Sequence, residues 1–198
     1  MLNLACDGQC RGFTLIEFMT ALAVAVAVIL FTLAAPSFSW LIQSSAMSST
    51  VNTFLADIRY ARSESIRRGG GVVMCRSDAP EAASPVCGTG TGSGGAGWAS
   101  GWIIFHNLDP AANGGVRVES DRVLRVQAPI HALNSMLEAG STESTQFRFT
   151  GTGRLLGLGA PVTLEFGSSP TWTSTTQRRV CVGSGGYARM AGNGTAAC

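Results

Sequence analysis

The chain contains no lysine, and all fourteen of its basic residues are arginine. A Walker-type phosphate loop is therefore excluded, because that loop needs a lysine against the phosphates. Histidine is scarce as well: only His106 and His131 occur, and neither falls in a His-Glu-x-x-His string. A Gly-x-Ser-x-Gly nucleophile elbow is also missing. The two histidines lie in unrelated contexts and read as surface or structural residues. Gly90-x-Gly92-x-x-Gly95 matches a dinucleotide-binding string, but no helical pattern follows, so it fails in context. The sequence points away from an enzyme, and from any cofactor or bound metal. Charge is sparse too, at 13% of residues with a net +2 and a pI near 8.3. No strong basic field marks a nucleic-acid protein.

What is present is a long apolar run. Phe18 to Ala35 holds eighteen residues without a charge, enough to cross most of a bilayer's hydrocarbon as a helix rising about 1.5 Å per residue. Glu17 stands at its upstream edge. A carboxylate there costs roughly 2.5 kcal/mol or more unless a cation meets it, which makes Glu17 a functional candidate. Arg11, on the short side of the run, orients the leader toward the cytoplasm and the bulk of the chain outside.

Past Ala35 the helix is expected to continue, with Pro36 removing one backbone bond and kinking it. Val51, Phe54, Leu55 and Ile58 follow the i, i+3, i+4, i+7 rule of a helix lying on a core. Arg59, Arg62 and Arg67 lie off that stripe as a solvated face, and Glu64 can pair with Arg68 at i, i+4. Ala61, Ser63 and Ser65 are small enough to let the helix approach a sheet closely. Gly69-Gly70-Gly71 ends an element that would run from Phe13 to Arg68, on the order of 80 Å.

Six runs rich in β-branched and aromatic residues follow: Val72–Met74, Trp102–Phe105, Val123–Val126, Gln146–Phe149, Val162–Phe166 and Arg179–Val182. They read as an antiparallel sheet or sandwich with one face on the second half of the helix. Trp98 and Trp102 are expected to fill that core. Gly88 to Gly97 reads as a flexible glycine-serine loop. With 198 residues, about 150 remain after the leader and membrane segment for a single domain with a proper core.

Arg11-Gly12-Phe13-Thr14-Leu15-Ile16-Glu17, with a short polar leader before it and a long apolar helix after it, resembles the class III signal of type IV pilins and type II secretion pseudopilins. The resemblance sharpens along the chain. Tyr60-Ala61-Arg62-Ser63-Glu64-Ser65-Ile66, Val73-Met74-Cys75-Arg76-Ser77 and Trp98-Ala99-Ser100-Gly101-Trp102-Ile103-Ile104-Phe105 look like successive signatures of the GspH/FimT family of minor pilins and pseudopilins. One departure is His106-Asn107-Leu108-Asp109, where the acid that often follows the tryptophan strand is displaced.

The resemblance implies an α+β, pilin-like fold: a long N-terminal transmembrane helix packed on an antiparallel β-sheet or sandwich domain. Residues 1–12 would be a leader, 13–42 the transmembrane and assembly half of the helix, and 43–198 a periplasmic domain including the helix's second half. A prepilin peptidase would cut after Gly12 and methylate the new N-terminus at Phe13. Glu17 would then pair with the terminal amine of a neighbouring subunit. The implied protein sits in the inner membrane as a single pass, then joins a filament with other pilins. A type IV pilus subunit is the preferred reading and a type II secretion pseudopilin the alternative.

Cys6 and Cys10 would leave with the leader. Cys75, Cys87, Cys181 and Cys198 remain, as two sequence-local pairs in a compartment where disulfides persist. Disulfides Cys75–Cys87 and Cys181–Cys198 are expected. Zinc is the competing reading, weakened by the lack of a Cys-x-x-Cys. Some relatives serve DNA uptake through a C-terminal Gly-Arg-x-Arg patch. Here Gly185-Gly186-Tyr187-Ala188-Arg189 carries Tyr187 in place of the first arginine, so Arg178, Arg179, Tyr187 and Arg189 are the candidate DNA contacts.

Overall fold

The computed structural model describes residues 14–139, 146–168, 170–194 and 198, apart from the side chains of 31–39 and 93. Helix α1 (Leu15–Arg68) begins at Thr14, whose carbonyl accepts from the Glu17 and Phe18 N–H groups at 3.0 and 3.2 Å. Thr14 Oγ1 also accepts from the Glu17 N–H at 3.4 Å, so a hydroxyl takes up one orphan donor of the first turn. The helix passes through two compact units, Met1–Ile42 and Gln43–Cys198. From Leu15 to Leu30 every side chain is exposed. Among the described residues no helix is long and apolar enough to cross a membrane. The expected span Phe18 to Ala35, and Pro36 with it, runs into 31–39, whose side chains lie outside the described residues.

In the second unit α1 changes character. Met47, Thr50, Val51, Phe54, Leu55, Ile58, Ala61 and Ser65 are buried at helical spacing, which is the expected stripe extended by a turn at each end. Ala61 and Ser65 are fully buried. Ser63 is exposed, its hydroxyl turned back onto the Tyr60 carbonyl, so it takes no part in the close approach to the sheet expected of it. Gly69, at φ +77°, ends the helix in the left-handed conformation.

Eight strands follow: β1 (Gly70–Arg76), β2 (Trp102–His106), β3 (Arg122–Gln127), β4 (Met136–Glu138), β5 (Gln146–Thr150), β6 (Val162–Phe166), β7 (Arg178–Gly183) and β8 (Tyr187–Asn193). They form two antiparallel four-stranded sheets, in the orders β3-β2-β1-β5 and β4-β6-β7-β8. The inward residues of both sheets meet α1 in one core. Val72, Met74, Trp102, Ile104, Phe147 and Phe149 come from the first sheet, and Val162, Leu164, Phe166, Val180, Val182 and Ala188 from the second. Phe54 sits at its centre. Its ring meets Trp98, Trp102, Phe147 and Phe166 edge-on, at centroid distances of 5.7, 5.5, 6.4 and 5.8 Å. Both tryptophans are fully buried, as core residues should be.

The outward side of the first sheet carries a smaller cluster, Val73, Cys75, Ile103 and Phe105, with Cys87 against it. Disulfide Cys75–Cys87 pins the segment after β1 over that cluster, and Cys181–Cys198 ties the C-terminal residue to β7. Their sequence separations of 12 and 17 make each worth about 3 kcal/mol on the chain-entropy account. The glycine-rich stretch after Cys87 is a series of bonded turns rather than a free loop. Gly88 N–H donates to the Arg76 carbonyl at 2.7 Å and Gly97 N–H to the Thr91 carbonyl at 2.7 Å. Gly97 also bridges to Met136, and a Cβ there would lie 2.3 Å from the Met136 oxygen. The displaced acid after β2 caps a short helix, α2 (Pro110–Asn113): Asp109 accepts from the Ala112 N–H at 3.0 Å.

Candidate functional site

Two regions hold the residues singled out in the sequence. At the start of α1, Gly12 and Phe13 lie outside the described residues, while Glu17 occupies the first helical turn with its side chain exposed. Thr14 and Glu17 stand in the Thr-x-x-Glu order of a capping box, and the acid faces the positive end of the helix dipole. The helix start accounts for an acid at this position locally. It does not supply a cation in an apolar setting.

The second region is the hairpin of β7 and β8. Because side chains alternate along strands and paired residues share a face, the register Arg179↔Glu165, Cys181↔Thr163, Cys181↔Arg189 and Gly183↔Tyr187 puts Arg179, Tyr187 and Arg189 on the outer face. Arg178 falls on the other side. Its guanidinium donates to the carbonyls of Thr175, Thr176 and Gln177 at 3.0, 3.2 and 3.0 Å and closes the turn before β7. Arg179 forms an ion pair with Glu165 across the strands. Arg189 reaches the Cys198 carbonyl at 3.4 Å, and Tyr187 is 55% exposed. The four candidates are therefore not gathered on one face: the Arg178 guanidinium meets carbonyls and Arg179 meets a carboxylate. Tyr187 and Arg189 remain side by side.

A buried polar group that the sequence did not single out holds α1 to the first sheet. Asp57 is 2% exposed and accepts from Trp102 Nε1 at 2.8 Å and from Arg125 at 2.5 Å. Arg125 in turn lies over the Tyr60 ring at 4.3 Å, a cation–π contact. Trp98 is satisfied separately, by Glu138 at 2.8 Å. Near the end of α1, Glu64 binds both Arg67 and Arg68 at 2.7 and 2.8 Å. The hydrogen bond from Arg67, then that from Arg68, lowers its carboxyl to a pKa of about 2. His106, at the end of β2, titrates below its ordinary range, first because it is partly buried and then because Arg68 is close. These groups are structural, and no cluster of acids, cysteines and histidines among the described residues has the form of a metal site.

The candidate residues thus fall on two surfaces. One surface is the exposed apolar start of α1 and the other the outer face of the β7–β8 hairpin. No curated protein and no solved structure matches the chain. The family described as type II transport protein GspH does match, over residues 50–186, from the buried stripe of α1 to the turn between β7 and β8. That stretch is well over half of the 198 residues and includes the last part of α1 up to Arg68, Trp98 and Trp102, and seven of the eight strands; the chain belongs to the GspH family.

Proposed function

We propose that this chain is a non-catalytic filament subunit, a minor pilin that is stored in the inner membrane and joins a type IV pilus through α1. The observation that carries the reading is the contrast within one helix. Leu15, Ile16, Phe18, Met19, Leu22, Val24, Val26, Val28, Ile29 and Leu30 include large apolar side chains on every side of the helix, all about half exposed or more. From Met47 onward the large apolar side chains form one buried stripe, and Ile66 in the last turns is the exposed exception. A helix apolar all round needs an apolar surround. The lipid bilayer supplies it before assembly and the helices of neighbouring subunits supply it afterwards. Membership of a pilin-like transport family supports the same role. On this reading a prepilin peptidase cuts after Gly12, Phe13 becomes the methylated N-terminus, and Glu17 meets the amine of the next subunit and sets the register.

The mass of the mature chain tests processing. The expected mass lacks Met1 to Gly12 and carries one added methyl group, and Gly12→Ala should leave the leader attached. If the Gly12→Ala chain were processed normally, the peptidase step would be refuted. Deletion of the gene separates the filament systems. Loss of surface pili supports the type IV reading, and loss of secreted enzymes with pili intact assigns the chain to a type II secretion pseudopilus.

A second reading adds DNA contact at the hairpin, favoured by the exposed pair Tyr187 and Arg189 on one strand face. Titration of DNA against salt, with the full chain and with Arg178, Arg179 and Arg189 all changed to alanine, tests it. Saturable, salt-sensitive binding lost in the variant supports the reading, and absence of binding at low salt removes it.

A further inference from the structure

The two disulfides of this chain have opposite surroundings. Cys75 is fully buried among Val73, Ile103 and Phe105, and the half-buried Cys87 packs against the same cluster. Sulfur held among apolar side chains is inert toward a charged nucleophile. The second bridge lies on the outer face of β7, and its two ends differ: Cys181 is 4% exposed, whereas Cys198 is exposed.

Strand pairing sets what stands beside that bridge. Cys181 on β7 is opposite Thr163 on β6 and Arg189 on β8, and directly paired residues share a face with Cβ atoms about 4.5–5.5 Å apart. Both neighbours also touch Cys198. Thr163 Oγ1 donates to Cys198 Sγ at 2.9 Å, and the Arg189 guanidinium donates to the Cys198 carbonyl at 3.4 Å. The next arginine on this face, Arg179, is paired with Glu165, while among the described residues no acid pairs with Arg189. The bridge therefore has a hydroxyl on one flank and an unneutralised guanidinium on the other.

We propose that Cys181–Cys198 is an exchange-reactive disulfide, at which a thiol of another molecule becomes attached to Cys198. The incoming thiol loses its proton to solvent and its thiolate attacks Cys198 Sγ. A bond between those two sulfurs forms, the Cys181–Cys198 bond breaks, and its electron pair leaves on Cys181 as a thiolate. One disulfide replaces another, so no further oxidant or reductant is consumed. Such a step is faster when the leaving thiolate is stabilised, and Thr163 and Arg189 are the strand neighbours of that sulfur. Attack at the other end is blocked by the burial of Cys181. The Cys181 thiolate keeps its place on β7 and can attack the mixed disulfide in return, which makes the attachment reversible. The site does not depend on which filament the chain joins.

The test uses the oxidised full chain in detergent, carrying Cys6→Ser and Cys10→Ser so that only the two bridges report. Reduced glutathione is added, the reaction is stopped with acid, freed thiols are alkylated, and peptide masses locate each group. Glutathione should appear on Cys198 and the alkyl group on Cys181, and this bridge should open about tenfold faster than Cys75–Cys87, or more. Arg189→Gln should slow the opening about threefold to fivefold, as loss of one exposed charge contact would, with Cys75–Cys87 unchanged, and Arg189→Lys should restore the rate. Thr163→Val should slow it about twofold to threefold, and carries the test if Arg189→Gln does not fold. A reduced dithiol protein of the thioredoxin class, at equal thiol concentration, separates the sources: faster opening than with glutathione supports a protein thiol, and slower opening supports a small one. Glutathione on Cys181, equal opening of the two bridges, or unchanged rates in both Arg189→Gln and Thr163→Val would each overturn the proposal.

Discussion

Asp57→Ala is the substitution whose consequence follows most directly from the contacts in the core. The carboxylate is 2% exposed and serves two donors of different kinds, the neutral indole Nε1 of Trp102 and the guanidinium of Arg125. Removing it leaves the Trp102 donor buried with no acceptor, because Trp102 is fully enclosed, and an orphaned buried donor costs about 1–3 kcal/mol. The Arg125 bond is worth less than a fully buried charge pair, since the Arg125 side chain is 45% exposed and water can replace the carboxylate; about 1 kcal/mol is a fair share. The total is about 3 kcal/mol. In a domain of this size that lowers the melting temperature by about 6–12 °C. Asp57→Asn keeps an acceptor for Trp102 and gives up only the charge, so it should cost about 1 kcal/mol. Thermal unfolding of the oxidised full chain in detergent, followed by near-ultraviolet circular dichroism of the tryptophans, reads both. If alanine and asparagine cost the same, or if alanine costs under about 1 kcal/mol, the Trp102–Asp57–Arg125 link does not hold the helix to the sheet as argued.

Phe54→Ala removes the ring on which four aromatic side chains converge and should cost about 3–5 kcal/mol, measured by the same melting experiment. Gly97→Ala should cost on the order of 1–3 kcal/mol from its backbone conformation alone, with φ at +61° and the Met136 oxygen in the way of the new Cβ; an unchanged melting temperature would show that the bridge is not needed. The Glu64 carboxyl is lowered from 4.5 to about 2 by Arg67 and Arg68, so its ionised form favours the folded state. That contribution is complete above about pH 4.5 and fades as the pH falls toward 2. Glu64→Gln should therefore flatten this part of the acid limb relative to the parent chain. His106 has the opposite charge type and a lowered pKa, so protonation opposes folding; its neutral form contributes fully above pH 6.5, and His106→Gln should remove the loss seen on acidification below that value.

How much of this was legible in the sequence depends on the range of the interactions involved. The stripe of α1 was legible because helical spacing is local, and Val51, Phe54, Leu55 and Ile58 are all buried as their periodicity requires. Six strands were legible from β-branched and aromatic runs, although their ends moved: Val72–Met74 is the middle of a seven-residue strand whose first residues are glycines. Two strands carried no such signal. β4 is three residues long, and β8 reads Tyr-Ala-Arg-Met-Ala-Gly-Asn, a run with little intrinsic strand preference. β8 forms because β7 offers it a ladder from Gly183 back to Arg178 and the Cys181–Cys198 bond returns the chain to that edge. Asp57 could not be recognised either. Its partners are 45 and 68 residues away, and nothing near it in the sequence marks it as more than a polar residue on a helix.

The absence of lysine links the core to the proposed assembly end. Every ion pair in this protein has to use arginine, an imidazole or a terminal amine. Asp57, Glu64, Asp78 and Glu165 each meet an arginine. Each of those acids can be read as serving the domain that contains it. Glu17 is different. It lies one residue before a long uncharged run, and among the described residues no arginine stands against it. If α1 is surrounded by lipid or by other helices there, water cannot screen the carboxylate, and the cation must come from outside the described part of this chain. On the proposed function that cation is the new α-amino group of an adjacent subunit. Glu17→Gln should then leave processing and membrane insertion intact and remove the chain from filaments, read by its presence in membranes and its absence from sheared pili. Normal incorporation of Glu17→Gln would mean that packing of the apolar helices alone sets the register, and the acid would be left with only its place in the first turn of the helix.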